Sequence, residues 1–536
     1  MANPSQTVSG VPVASRTGES DALAVLSVDE SGLLASRGFA IMAIVVGAVL
    51  RIASYYFSDN AGGDALARVA ATAKWLSNPH FRMVFAGAYE PGHFWLIALF
   101  SLICPDVNAA GRLLSLVLGI ACLVVVWRLG VVLYGASAGA LSAVVFSFSS
   151  LQIGYSATSS SEVSQLAFLL LSLLPFFSKA RTLTTRMSNL ALSGLFLSVA
   201  ESIRFESWIF FGGMALILVV TLLTDHDRAM WTTWAAIAPV FAFGMTAGIW
   251  PVFMMVYSAM HFHDPMYLVT LNHGRTLAAL AEHPLSMGYQ LALMPGVVFI
   301  TLSPLGFLGA AYGLLRSFSS QCRAYFAGLT LLLGGVQLYE VLMHGLLASA
   351  RYSITLAAML AVISGLGIQK ICERLTPNHT TLLHWVTFCL LLVNLVAIYA
   401  LSEFPNRTAD KIASLSPRLR FSRHIASVAS CLRSRLQPQD AVIVDNYNAE
   451  SNVIASAAGL PLVPGRRAYL ANAINEISAQ EYLNRVRPKF MVFADKGVLR
   501  KDFDIPQGCS SVVLGNVKFS CKCTNQIYRL FELGYQ

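Results

Sequence analysis

Charge is scarce in this chain. Only 12% of its 536 residues are Asp, Glu, Lys or Arg, against about 25% in ordinary soluble domains, which excludes a purely soluble globular protein. Strand-length alternation of the barrel kind is absent, so the spans are helical. None of the nine cysteines sits in a CxxC pair or at zinc-ligand spacing. No GxGxxG or Walker-type loop occurs, and no nucleic-acid recognition motif accompanies the basic charge, so nucleic acid is not an expected partner. No short signal peptide with a cleavage site is evident, and no internal repeat is found.

What is present is apolar sequence: 56% of residues are hydrophobic and the mean hydropathy is +0.61. Runs of the length a membrane helix needs, about 20 residues, recur along the chain. The fold class is therefore a polytopic α-helical membrane protein. After Phe39–Phe57, which reads as an uncleaved signal anchor, runs follow at 93–104, 112–134, 138–150, 163–178, 188–201, 207–224, 233–257, 291–315, 324–343, 353–369 and 383–402.

Basic loops assign the sides. Arg37 keeps the N-terminus inside, and Lys179 with Arg181 and Arg186, Asp225–Arg228, Arg316 with Arg323, and Lys370 with Arg374 are expected to face the cytoplasm. The stretch 58–94, Glu162, Arg204 with Glu206, 258–290, Glu340–Tyr352 and the tail 404–536 then face outward. That sidedness needs an odd number of crossings, so about eleven transmembrane helices are expected, with 93–104 or 138–150 re-entrant. The expected organisation is a disordered cytoplasmic leader (1–36), a membrane domain (37–403) and a small extracytoplasmic domain (404–536). A multi-pass protein of a bacterial inner membrane is the default localisation. The Asn406-Arg407-Thr408 sequon points the other way.

The tail is different material, with 18 Lys/Arg against 10 Asp/Glu. A basic domain beside a bilayer suits anionic lipid headgroups or an anionic substrate, though a soluble basic domain would look the same. Gln439–Asp445 and Lys489–Asp495 read as buried strands, Glu450–Ala458 and Ser478–Val486 as helices, and Val512–Leu514 and Ile527–Phe531 as further strands. This alternation indicates a small C-terminal α/β domain. Cys509, Cys521 and Cys523 could supply a disulfide if the tail lies outside the cytosol.

The stretch Ser58–Phe94 holds Asp59, Asp64, Arg68, Lys74, Arg82, Glu90 and His93 at a membrane face, closing on Glu90-Pro91-Gly92-His93. Asp64, after Gly62-Gly63, suits a general base for an acceptor hydroxyl, or equally a helix N-cap before ALARVAATAKWL. Asp59 is the alternative base. Arg204 and Glu206 lie between two apolar runs, where charge is costly; Arg204 could hold a phosphate by forked hydrogen bonds, or the two could pair and anchor helices. Arg351, next to Tyr352 and after Glu340 and His344, is a second phosphate-gripping candidate or a snorkelling arginine; Arg112 is a weaker one. Glu162, after Ser159-Ser160-Ser161, could cap a helix or orient a ligand. His261, His263 and Asp264 are ligand types that suit a divalent metal, but their spacing fits a plain polar loop with turn chemistry at Asp264-Pro265 better.

Five of these segments, in this order, resemble the GT-C class of integral-membrane glycosyltransferases, in particular the group of protein O-mannosyltransferases and the aminoarabinose transferase of lipid A. They are GGDALARVAATAKW followed by YEPGHFWLIAL, then YSATSSSEVSQ, RFESW, HFHDPMYLV and RYSITLAAMLAVISGLG, and the resemblance spans roughly 39–402. Two departures stand out. Asp64-Ala65 replaces the family's Asp-Glu, and His263 stands where glycine is common before Asp264-Pro265. The resemblance implies transfer of a sugar from a polyprenyl-phosphate donor to a protein, lipid or glycan acceptor at the outer membrane face, with inversion. It implies Asp64 and Glu162 as catalytic residues, with 58–94 as the catalytic loop. Substrate-binding residues would be Arg68, His93, Arg204, Glu206, His263, Asp264, Arg351 and Tyr352, the two arginines Arg204 and Arg351 neutralising the leaving lipid phosphate. No cofactor is demanded, and a divalent metal stays open. The competing reading is a transporter or flippase of a lipid-linked sugar, which the lack of internal repeats disfavours. A third, a sensory or assembly protein whose tail binds a partner, would leave Asp64 dispensable.

Overall fold

The computed structural model describes residues 30–533 apart from 80–88, 225–233, 283–285, 344–348, 376–379, 404–412, 448–449, 463–466, 472–476, 502, 504–510 and 515–516. Most of the leader, Arg82, the Asp225–Arg228 loop, His283, His344, the Asn406–Thr408 sequon and Cys509 lie outside the described residues.

The membrane half is a succession of helices: α1 (Glu30–Phe57), α2 (Gly63–Ser77), α3 (Gly92–Ser101), α4 (Val107–Tyr134), α5 (Ala136–Ser147), α6 (Ser150–Tyr155), α7 (Ser161–Phe177), α8 (Leu183–Ile203), α9 (Glu206–Thr224), α10 (Trp234–Ala247), α11 (Ile249–Phe262), α12 (Tyr267–Glu282), α13 (Met287–Ser317), α14 (Gln321–Leu342), α15 (Ile354–Leu375) and α16 (Thr380–Glu403). Among the described residues seven helices are long and apolar enough to cross a membrane, or eight if α10 and α11, bent by 47° at their junction, form one span. Helices α3, α5 and α7 are apolar but have only 10, 12 and 17 residues. At about 1.5 Å per residue α3 and α5 cover roughly half of a 30 Å hydrocarbon layer. Both runs named as re-entrant candidates are thus short helices, and the expected 258–290 loop contains a helix of its own, α12.

Small residues bring the long helices close. A Cβ on Gly367 of α15 would collide with the backbone of Gly309 and Gly313 of α13, so these helices touch backbone to backbone, a packing that glycine alone permits where lipid gives no hydrophobic drive. Helix α13 itself breaks at Ser303 (φ 67°), immediately before Pro304.

The tail is an α/β domain, as the strand and helix pattern indicated. After α17 (Arg423–Arg433) come β1 (Val442–Val444), α18 (Ser451–Ala458), β2 (Ala468–Leu470), α19 (Ala479–Val486), β3 (Phe490–Ala494), β4 (Ser511–Leu514), β5 (Val517–Thr524) and β6 (Tyr528–Leu533). The strands form one sheet in the order β2-β1-β3-β6-β5-β4. The β2-β1-β3 part is parallel and the rest antiparallel. Successive residues of β1 and β3 point to two different cores, Val442, Val444, Phe490 and Val492 to one, Ile443, Met491 and Phe493 to the other. Burial on both faces explains why these strands read as unbroken apolar runs. Strands β2 and β5 were not anticipated: β2 is three residues long and β5 alternates polar with apolar. A Cys431–Cys523 disulfide ties α17 to β5.

The tail is fastened to the membrane half by hydrogen bonds and by apolar packing. Backbone of 417–421 runs along the exit of α1: Ser54 Oγ donates to Pro417 O (2.6 Å), Leu419 N to Ser58 Oγ (3.1 Å), Asp59 N to Leu419 O (2.8 Å) and Phe421 N to Asp59 Oδ2 (3.0 Å). Leu66 of α2, with no exposed surface, sits in the tail's own core with Ile425, Val453 and Ile454.

Candidate active site

Helix α2 begins one residue after Gly62, whose backbone (φ −85°) is open to any residue. The glycine pair is therefore not required by backbone geometry at this position. Asp64 occupies the first turn and does not cap the helix; Gly62 holds the cap position. Its carboxylate instead forms an ion pair with Arg351 and accepts a hydrogen bond from the Tyr89 hydroxyl at 2.9 Å.

Behind that pair lies a chain of alternating charge. The Arg351 guanidinium approaches Glu162 at 3.7 Å, Glu162 pairs with Arg204 at 2.7 Å, and Arg204 grips Glu206 with two hydrogen bonds of 3.0 and 2.6 Å. Ser160 Oγ donates to Glu162 at 2.6 Å. The Tyr352 ring lies between the arginine heads, 5.5 Å from Arg204 and 5.1 Å from Arg351. Asp64, Glu162 and Glu206 each stand in the first turn of a helix, α2, α7 and α9, and Arg351 is in the turn leading into α15. Four helix N-termini thus meet at one spot, where three carboxylates and two arginines compensate one another.

In front of Asp64 opens a cavity of about 370 Å³ lined by Asp64, Arg68, Tyr155, Glu162 and Arg351 on the membrane side, with Arg420 and Glu450 of the tail opposite. Burial pushes the Asp64 carboxyl up, but Arg351, Arg68 and the hydrogen bonds from Arg351 and Tyr89 outweigh it and hold the group below its ordinary value. Burial and the Asp64 charge push Tyr89 up to about 12, so it remains a donor. Glu90 is buried with one oxygen on the Trp250 indole (3.2 Å), and burial holds its carboxyl well above the ordinary value.

Of the residues singled out from sequence, the structure brings together Asp64, Arg68, Glu162, Arg204, Glu206, Arg351 and Tyr352. Others lie elsewhere. His93 is buried against Ser159 O (3.2 Å) and does not line the cavity. His263 is exposed and closes α11 in a left-handed conformation (φ 58°). Asp264 accepts from Met266 N at 2.9 Å, the turn chemistry of an Asp-Pro step. Asp59 is engaged by Phe421 N, and Arg112 donates to the carbonyls of Tyr55, Ser58 and Ala157. Both fasten structure. Tyr89 and Glu450 were missed; Tyr89 adjoins the highlighted Glu90, but nothing local marks Glu450. Among the described residues no three His, Cys, Asp or Glu gather to hold a metal. The cavity's two membrane-side carboxylates are already paired with arginine, so the side chains do not form a cation cradle.

Residues 88–250 match the family model described as dolichyl-phosphate-mannose-protein mannosyltransferase. No curated protein matches the chain in sequence. In structure, the chain is similar to ArnT from Cupriavidus metallidurans in the apo state, with a TM-score of 0.61 over 93% of this chain and 98% of that one at 11% identity. The chain has a GT-C fold. The undecaprenyl phosphate-bound form of ArnT matches with a TM-score of 0.59 over 92% and 98% of the two chains at 11% identity. The archaeal oligosaccharyltransferase AglB from Archaeoglobus fulgidus, in complex with an inhibitory peptide and a dolichol-phosphate, matches with a TM-score of 0.51 over 86% and 69% at 12% identity. Within this GT-C fold the matched segment 88–250 runs from the loop before α3 to the start of α11, and so contains Glu162, Arg204 and Glu206 but neither Asp64 nor Arg351.

Proposed function

We propose that this protein is a glycosyltransferase that moves a sugar from a polyprenyl-phosphate donor to an acceptor hydroxyl on the extracytoplasmic side of the membrane, with inversion. The observation that carries this reading is the ion pair of Asp64 with Arg351 at the mouth of a cavity backed by Glu162, Arg204 and Glu206. A base and an anion-binding group hold each other at this mouth. The donor's phosphate would take Arg351, which both seats the leaving group and frees Asp64. The acceptor oxygen then attacks the anomeric carbon, its proton passes to Asp64, and the carbon–oxygen bond to phosphate breaks with the electron pair leaving on the polyprenyl phosphate. With Arg351 drawn away, the charge that held the Asp64 carboxyl down is offset and its basicity rises when it is needed. Arg204, fixed between Glu162 and Glu206, offsets part of their negative charge and so makes the spot behind Arg351 less hostile to the departing phosphate. The bilayer location follows from the donor, whose long lipid cannot leave the membrane.

Sidedness is supported by two independent features. The basic loops at 179–186, 316–323 and 370–374 lie at the ends of α7, α8, α13, α14 and α15 opposite to those that carry Glu162, Arg204 and Arg351, and basic loops favour the cytoplasm. A Cys431–Cys523 disulfide suits an oxidising compartment. The test is transfer of labelled sugar by the purified chain from polyprenyl-phosphate donors into membrane extract, with the anomeric configuration of product read by NMR. Inverted product is expected. Retention of configuration would overturn the single-displacement mechanism, and no transfer with any donor, accompanied by passage of the lipid-linked sugar across vesicles, would replace the enzyme with a flippase.

A further inference from the structure

The cavity before Asp64 has two walls of different origin. The membrane wall carries the alternating charges described above. The other wall is supplied by the tail: Arg420, Ser422, Ile425, Glu450 and Val453. Four of these have other duties. Arg420 pairs with Glu403 at 2.9 Å, Ser422 Oγ caps α17 through Ile425 N, and Ile425 and Val453 belong to the apolar core that also holds Leu66. Glu450 is the charged group left over. It stands at the start of α18, and its Oε2 accepts the hydroxyl of Tyr528, a side chain with no exposed surface on β6. No lysine or arginine forms a salt bridge with Glu450 among the described residues.

This wall is rigidly placed. Leu66, two residues from Asp64 on α2, is packed in the core shared by Ile425 and Val453, and the 417–421 backbone is hydrogen-bonded along the exit of α1. Glu450 is thereby presented across the cavity from Asp64 and Arg68. The donor's lipid phosphate is gripped on the membrane wall. A molecule that brings its hydroxyl to Asp64 must occupy the remaining space, against the tail. An ionised carboxylate is an acceptor of hydrogen bonds only, and once braced by Tyr528 it still has capacity for hydroxyl donors.

We infer that Glu450 is a substrate-recognising residue contributed by the C-terminal domain, its carboxylate accepting hydrogen bonds from the hydroxyls of a polyol, sugar-type acceptor while Asp64 takes the proton of the attacking one. This rests on the glycosyltransferase reading of the same site. Tyr528 acts through Glu450 as a positioning residue.

The test uses the full chain, a polyprenyl-phosphate sugar donor that supports wild-type transfer, and a titrated membrane extract as acceptor. Glu450→Gln keeps the shape and an oxygen for Tyr528 but weakens the pairing with hydroxyls. The expected result is an apparent acceptor KM raised about tenfold or more, as loss of a charge-assisted hydrogen bond predicts, with kcat, donor KM and binding of undecaprenyl phosphate little changed. Tyr528→Phe, checked for an unaltered melting temperature, raises the same KM by a smaller factor. A rise in donor KM in place of acceptor KM overturns the acceptor assignment and moves Glu450 to the donor's sugar. Unchanged KM values for both substrates in an active enzyme overturn the inference while leaving the glycosyltransferase reading intact. A wild type that transfers nothing from any donor defeats that reading and this inference with it.

Discussion

Two polar regions of the chain look alike on paper and differ in the folded molecule. The Asp64–Glu162–Arg204–Arg351 set and the His261–Asp264 segment each combine acids with bases beside apolar runs. The first is assembled from four segments, the Arg351–Asp64 pair alone spanning 287 positions, and its carboxylates are each held by a guanidinium. The second is a local turn: His261 Nδ1 lies 3.0 Å from its own helix's Tyr257 O, and Asp264 bonds the backbone two residues on. A polar cluster contiguous in sequence satisfies itself. Charges drawn together from distant segments at a membrane face are costly to assemble, and that cost is the better pointer to function.

The sharpest way to break this contrast is Asp64→Asn. Transfer should fall about 10²–10⁴-fold, the usual contribution of a positioned base, while undecaprenyl phosphate still binds. Unchanged transfer would sink Asp64 as base. Arg351→Ala should weaken undecaprenyl phosphate binding, measured by isothermal titration, by roughly ten- to a hundredfold, the scale of a charge-assisted pair. It should also shift the acid limb of kcat/KM, which reports the free enzyme. Arg351 holds the Asp64 carboxyl below its ordinary value, so without it the group takes up a proton at higher pH and the limb moves upward. An acid limb that stays put would show that another group titrates.

Glu90→Gln tests burial rather than chemistry. The folded Glu90 carboxyl lies well above its ordinary value because of burial. The folded chain therefore keeps a proton that the unfolded chain releases near about pH 4, and the associated stability, full below that pH, is lost as pH rises toward the folded value. Glutamine does not titrate, so the melting temperature of the variant should exceed wild type by a margin that widens with rising pH; a constant margin would contradict this. The smallest effect belongs to the other region. His263→Ala and Asp264→Ala should leave transfer within about twofold, as surface substitutions usually do, and chelation of divalent metal should leave wild-type rates unchanged. A tenfold loss in any of these assays would restore the turn, or a metal, to the site.

Much of this was legible in the sequence, for identifiable reasons. Charge is so rare in the apolar background that Asp64, Glu162, Arg204 and Arg351 each announced themselves. Their partners did not, because nothing local tells Arg351 that it meets Asp64. The tail's doubly buried strands were visible as apolar runs, whereas β5 carries the alternation of a half-buried strand in VKFSCKCT and was overlooked. Span counting was harder. The short α3 and α5 and the bent α10–α11 pair carry the hydropathy of full spans without their length or straightness. Glu450 was out of reach: its place on the cavity wall depends on packing between a tail without recognisable motifs and helix α2, far earlier in the chain.

That last contact has a consequence for how the protein is made. The helix bearing Asp64 is made early, yet its Leu66 is buried in a core that also holds Ile425, Val453 and Ile454. Until α17 and α18 have been synthesised and folded, that leucine lacks this cover and the tail-derived wall of the cavity is absent. The cavity is therefore completed late although Asp64 is made early, and a chain stopped before α18 lacks one of its walls.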